Sequence, residues 1–287
     1  MLYYYAHTGH KVGLERARRA LAVIKKVEAK GMQMRLLVND FRAGVALKDE
    51  QGLAEYITIE TIQDIDAVAQ MGDSIIIDSD EDEHGRLVKY VTDFKQVWRF
   101  AHDSKDRSIH GEILFKVGCE AAEECEEAVI IDDRYYEPYE KEEKILFFLR
   151  DYDHDKTVLN NEAFFKAFDM ELLLGHYFYV KYEDDLAKLF SSLHEPETYT
   201  EQITQSSTVV TASAQTALEA KASGAKVIFI MLDEIPLYPL SLLKECAITV
   251  IEGFDTAALK TALSVKQQAI FSDYIKKFDA DDLLKKL

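Results

Sequence analysis

Short apolar runs recur along this chain, separated by amphipathic stretches long enough for several turns of helix. The runs at 2–5, 34–38, 56–59, 74–77, 97–101 and 129–131 are rich in Tyr, Ile, Leu and Val. A strand that is apolar on both faces is one covered by helices on both sides, so the pattern predicts α/β layers around a mainly parallel sheet. A second series follows at 145–149, 170–174, 208–211, 227–231 and 248–251. Between the two series, residues 135–144 are polar and hold one of the chain's four prolines, which predicts a linker. The expected organisation is a Rossmann-like domain over 1–140, a second over 141–255, and a helical segment over 256–287 that packs back on the body. Leu259, Leu263, Ile270, Ile275 and Leu283 supply the apolar positions of that tail. Two such domains present the carboxyl ends of their sheets to a central cleft, the usual ligand position in such folds.

Composition narrows the partners. The 287 residues are 48% hydrophobic and 30% charged, enough for two domains with sizeable cores. A net charge of −18 argues against sequence-independent binding to nucleic acid or to an anionic membrane, because the summed field repels both. Cys119, Cys125 and Cys246 are too few and too scattered for a disulfide scaffold, and no Cys-x-x-Cys spacing suggests zinc. No apolar run reaches membrane-spanning length and no signal-peptide pattern opens the chain, so a cytoplasmic location is expected.

The amino-terminal run carries the strongest site signal. The first strand leads into His7-Thr8-Gly9-His10, and Gly13 precedes a helix whose Leu14, Ala17, Leu21 and Ile24 form an apolar stripe ended by Gly31. Arg16, Arg18 and Arg19 are expected on other faces, away from the core. A strand, a glycine loop and a helix start converge unpaired N–H groups and the positive dipole end on one spot, which suits a phosphate. Cations near a helix start oppose the dipole by a few tenths of a kcal/mol unless an anion offsets them. At least one of Arg16, Arg18 and Arg19 is therefore expected to hold a ligand anion; the alternative is a solvated face paired with carboxylates. His10 fits a general base titrating near neutrality, and equally a helix-capping or solvent-facing residue. His7, closer to the strand, reads as a core-edge residue.

Two acidic loops follow other strands. Asp78-Ser79-Asp80-Glu81-Asp82-Glu83-His84 has the spacing to offer oxygens to Mg²⁺ or Mn²⁺, with Asp78 and Asp80 as weak metal candidates and a solvated acidic loop as the alternative. Asp151, Asp153, His154 and Asp155 suit either acid–base chemistry or helix capping.

Two segments resemble a known family. Gly13-Leu14-Glu15-Arg16-Ala17-Arg18-Arg19-Ala20-Leu21-Ala22 is similar to the Gly-Leu-Gly-His-x-Arg-Arg-x-Leu-Ala segment of GT-B-type proteins, which include nucleotide-sugar glycosyltransferases and the UDP-sugar hydrolase of pseudaminic acid synthesis. Residues 206–228 are similar to their strand, small-residue loop, Thr-x-x-Glu helix and next strand. The resemblance implies that Ser213, Gln215, Thr216 and Glu219 seat a UDP-linked nucleotide, with Gly9, Gly13, Arg16 and Arg19 around the phosphates, His10 as catalytic base and no further cofactor required. The departures are specific. Aligned on Arg-Arg-Ala-Leu-Ala, Glu15 and Arg16 stand where the family has Gly-His; aligned on Gly9-His10, Gly13 replaces an arginine. Ala212-Ser213-Ala214 replaces the Gly-Gly pair, and Ala225-Lys226 stands in place of Gly-x-Pro.

The leading expectation is a GT-B-like enzyme of glycosyl transfer or nucleotide-sugar hydrolysis in surface-glycan or carbohydrate metabolism. A non-catalytic binding or assembly protein on the same scaffold is the alternative, and metal-dependent phosphotransfer through Asp78 and Asp80 a lesser one. Expected partners are the nucleotide sugar and a second copy of the chain or a pathway protein.

Overall fold

The computed structural model describes residues 1–119, 124–178, 182–232, 236–265 and 275–287. Two compact units emerge, one of Met1–Asp132 together with Lys277–Leu287, the other of Asp133–Lys276. Each is a parallel sheet with helices, and together they make a two-domain Rossmann-like GT-B α/β fold.

In the first unit, β1 (Leu2–Ala6), β2 (Met34–Val38), β3 (Tyr56–Thr58), β4 (Ser74–Asp78), β5 (Gln96–Phe100), β6 (Ile113–Lys116) and β7 (Cys125–Glu127) form one sheet in the order β3-β2-β1-β4-β5-β6-β7. Every pairing is parallel. The connecting helices are α1 (Glu15–Ala29), α2 (Phe41–Gln51), α3 (Ile65–Val68) and α4 (Arg86–Asp93). Register places Leu36, Tyr4, Ile76 and Trp98 in one row, all fully buried, on the face toward α1. The alternate residues Tyr5, Ile75, Ile77 and Val97 pack on the opposite face with Ile62, Leu87 and Tyr90. Strand side chains alternate in this way, so the two faces of one strand end open onto different surroundings.

In the second unit, β8 (Glu142–Phe148), β9 (Glu171–Leu173), β10 (Ser192–His194), β11 (Ser206–Thr211), β12 (Lys226–Met231) and β13 (Thr249–Glu252) order as β10-β9-β8-β11-β12-β13, again parallel. Its helices are α5 (Thr157–Asn160), α6 (Glu162–Phe165), α7 (Glu183–Leu186), α8 (Tyr199–Gln205), α9 (Ala214–Ala222), α10 (Leu240–Glu245) and α11 (Thr256–Ser264). A short last helix, α12 (Asp281–Lys285), belongs to the first unit, where Lys30 meets Asp281 at 2.5 Å and Lys286 meets Glu126 at 2.7 Å.

Several expectations change. Residues 129–131 are buried but not a strand; the sheet is completed instead by β6 and β7. The polar stretch read as a linker contains a 3-10 turn at Asp133–Tyr136 and the start of β8. The tail is divided, α11 with the second unit and α12 with the first, while Ile270 lies outside the described residues. Cys119 and Cys125 form a disulfide that closes the β6–β7 connection, a local pairing that scattered spacing did not suggest; Cys246 is a buried thiol. Among the described residues no helix is long and apolar enough to cross a membrane.

Two features of the fold have measurable consequences. At Gly175, two residues past the end of β9, an added Cβ would lie 2.4 Å from the backbone carbonyl of Asp151. Backbone cannot swing aside as a side-chain tip does, so Gly175→Ala is expected to cost about 1–3 kcal/mol in urea unfolding. Within β5, Arg99 pins the loop that follows the strand, bonding Asp106 at 2.5 and 2.8 Å and Glu112 at 3.1 Å. Burial works to raise the Asp106 carboxyl, but the Arg99 fork and the His102 N–H outweigh it and hold the group down to about 2. A depressed carboxyl lends stability that is complete above its unfolded value and lost as pH falls through the folded one. Asp106→Asn should therefore lower the melting temperature at neutral pH and flatten its decline between about pH 4 and pH 2.

Candidate functional site

The loop from β1 to α1 is shaped by its two glycines. Gly9 and Gly13 have φ of +148° and +84°, values that side chains with a Cβ rarely adopt, and the Gly13 N–H closes the loop on the Gly9 carbonyl at 2.7 Å. Thr8 anchors it to the end of β2 by donating from N and Oγ1 to Asn39 Oδ1 at 2.7 and 3.1 Å. His10 is exposed on this loop.

One turn into α1, the arginines depart from expectation. Arg18 and Arg19 are 3% and 2% exposed, so the core face and the arginine face are not separate. For Arg19 the reason is Asp78, at the end of β4 and 1% exposed. Arg19 Nε and Nη2 donate to its two oxygens at 2.9 and 2.6 Å, and the Tyr4 hydroxyl donates at 2.8 Å. The guanidinium carbon also lies 3.7 Å from the centre of the Phe100 ring. Arg16, three residues before Arg19 and so on the same helix face, reaches Asp78 at 3.5 Å and Asp80 at 3.3 Å.

Beyond this buried pair the cluster opens. The Asp80 carboxylate contacts His7 Nδ1, and its side chain is half exposed while His7 and Arg16 are each 17% exposed. The hydrogen bond from His7, and then the charge of Arg16, hold the Asp80 carboxyl below the usual carboxylate range against the opposing effect of burial. Sequence reasoning brought Arg16, Arg19, Asp78 and Asp80 forward but not in this combination, and it passed over His7. The acidic loop is not a free Asp-x-Asp pair. Asp78 is committed to Arg19 and Tyr4, and among the described residues no group of three His, Cys, Asp or Glu side chains is placed to hold a metal ion.

In the second unit, Ser213, Gln215, Thr216 and Glu219 do come together around α9, all at most 2% exposed. They bond mainly to one another and to two tyrosines. Ser213 Oγ caps α9 by accepting from Thr216 N at 3.1 Å. Glu219 accepts from Gln215 Nε2 at 2.9 Å and from the Tyr199 hydroxyl at 2.6 Å, and Tyr238 donates to Gln215 Oε1 at 2.9 Å. After β8, Asp153 accepts from Thr157 N at 2.5 Å and Val158 N at 3.1 Å, the helix-capping alternative for that acidic loop.

The fold so described is that of the GT-B class, two Rossmann-like α/β domains in one chain. No protein-family model and no curated protein sequence matches the chain. Solved structures match over nearly its whole length. A Methanocaldococcus jannaschii UDP-GlcNAc 2-epimerase in complex with UDP-GlcNAc and UDP is 11% identical, with a TM-score of 0.61 over 99% of each chain. A putative UDP-N-acetylglucosamine 2-epimerase from Listeria monocytogenes is 11% identical, with a TM-score of 0.60 over 91% of this chain and 86% of the other. WaaG, a glycosyltransferase involved in lipopolysaccharide biosynthesis, is 11% identical, with a TM-score of 0.53 over 96% and 93%.

Removing one partner of a buried, hydrogen-bonded ion pair leaves the other charge stranded. Asp78→Ala is therefore expected to destabilise the protein by about 3–5 kcal/mol in denaturant unfolding, and adding Arg19→Met should recover part of that loss.

Proposed function

We propose that the protein binds a UDP-linked sugar and acts on its glycosyl or diphosphate linkage. The observation that carries this reading is the His7–Asp80–Arg16 group at the carboxyl end of the first sheet. Ligands of such sheets bind at strand ends, and two of the similar structures contain UDP or UDP-GlcNAc. With Nδ1 of His7 committed to Asp80, Nε2 is the nitrogen left to exchange a proton with water or an acceptor hydroxyl. Asp80 fixes the ring and stabilises the imidazolium formed when His7 accepts that proton. Arg16 lies on the same helix face and offers a planar cation to the phosphates. Leaving-group charge would be met by this guanidinium and by the amide groups at the α1 start.

A non-catalytic sugar-nucleotide binder on the same fold is the second reading, favoured by the closed network around Glu219. Both carboxylate oxygens of that residue accept hydrogen bonds from within the second unit. Turnover separates the two. UDP-GlcNAc incubated with the protein, with and without Mg²⁺, is followed by ³¹P and ¹H NMR for released UDP, free sugar or an epimer. His7→Asn is expected to lower turnover by about 10²–10⁴-fold while His10→Asn leaves it near the parent level. Arg16→Ala should abolish the rise in melting temperature that UDP produces. A ligand-induced shift without any product would establish the second reading; no shift at millimolar UDP or UDP-GlcNAc would overturn both.

A further inference from the structure

On the sheet face away from Arg19, the ends of β4 and β5 enclose a pocket of about 150 Å³. Ile77, Leu87, Tyr90 and Ile109 form its apolar walls, and Glu81 and Glu83 stand at its polar side. A volume of this order holds one benzene-sized ring. The Tyr90 hydroxyl is spent on the Ile62 carbonyl at 2.7 Å, so that wall presents a ring rather than a donor.

The charges in the lining are unequal. Arg99 is the cation there, and its guanidinium is already shared between Asp106 and Glu112. The two glutamates are only partly used. Glu81 takes the Tyr5 hydroxyl and the Ser79 hydroxyl on a single oxygen, Oε2, and Glu83 takes the Leu87 N–H on Oε2. Among the described residues the remaining oxygen of each has no hydrogen-bond partner. Two carboxylates in the lining of a mainly apolar pocket favour a cation with an apolar body, and they repel phosphates and carboxylates.

We propose that this pocket binds a small primary amine carried on an apolar ring, its ammonium bridging Glu81 and Glu83 and its ring against Leu87 and Tyr90. The site is distinct from the His7–Asp80–Arg16 group, which lies on the other side of the strand ends, and it does not rest on the sugar-nucleotide reading.

The test uses the full chain and a matched pair of probes, phenethylamine and the neutral 2-phenylethanol, titrated by calorimetry at neutral pH. The amine is expected to bind at least about tenfold more tightly than the alcohol. Glu81→Gln with Glu83→Gln keeps an acceptor for Tyr5, Ser79 and Leu87, and should weaken the amine by about tenfold or more while leaving the alcohol unchanged. Ile109→Arg is a second variant, at a residue 72% exposed and therefore harmless to the core, that sets a cation at the pocket's lip and should weaken the amine alone. Ile109→Arg decides the matter if the double variant does not fold. Equal affinity for amine and alcohol, no binding of the amine at millimolar concentration, or undiminished amine binding in the folded variants would overturn the proposal. UDP binding, measured on the same variants, should be unaffected, so failure here is separable from failure of the sugar-nucleotide reading.

Discussion

A guanidinium taken out of water must be matched by a carboxylate with its full complement of hydrogen bonds, and Arg19 imposes that condition on the first unit. The desolvation of two charges is offset only when geometry is close to ideal. Here Asp78 accepts both arms of the Arg19 fork and the Tyr4 hydroxyl, and the flat face of the cation rests on Phe100. Those four residues come from α1, β1, β4 and β5, so the requirement fixes the helix against three strands at once. Sliding α1 by one residue along the sheet would keep much of its apolar contact and strand the charge. The pair thus selects one packing of helix on sheet more sharply than hydrophobic contact does.

The candidate site extends from this buried pair toward solvent. Asp80 is two residues beyond Asp78, and Arg16 is three residues before Arg19, so fixing the inner pair delivers the outer one. His7 follows the last residue of β1, whose Ala6 is in register with Asp78, and its N–H is held by the Asp78 carbonyl at 2.9 Å. The outer group is partly exposed and the inner one is not, a gradation that lets the inner pair provide rigidity and the outer group meet a ligand. Tyr5, the neighbour of Tyr4, points to the other face and bonds Glu81, and the same two strand ends thereby serve a second and more acidic environment.

The apolar runs within β1, β2, β4, β8, β11 and β12 were legible because their central residues are buried on both faces. β7 was not, because Cys-Glu-Glu at a sheet edge carries no apolar signature and is held by its pairing with β6 and the adjoining disulfide. β10 is three residues long and similarly depends on a neighbour distant in sequence. The burial of Arg19 was hidden for the same reason. A helical wheel shows which residues share a face, not that an aspartate 59 positions later waits beneath it. His7 had one usable signal, its position directly after a strand, but the value of that position depends on β1 lying beside β4. Loop glycines, caps and strand cores are local in cause; the ion pairs that build the site are not.

Sequence identity of 11% with structures of the same fold shows shared layers and leaves the chemistry at the strand ends to be read from this chain's own residues. The two prominent helix starts of this chain show how. At α9, Ser213 supplies its own hydroxyl to the Thr216 N–H, and the adjacent Ser213 N–H is taken by Thr211 Oγ1 at 3.0 Å, so the polar groups that could greet an anion are met from within. At α1, the capping position holds Leu14, whose side chain has no oxygen to offer, and the nearby cation Arg16 is poised between two carboxylates without a close hydrogen bond to either. A capped helix start gains about 1 kcal/mol of stability from its own side chain and gives up that much readiness for a ligand. Ser213, within Ala212-Ser213-Ala214, thus makes the α9 start a self-satisfied cap, whereas α1 is not capped by the side chain of Leu14.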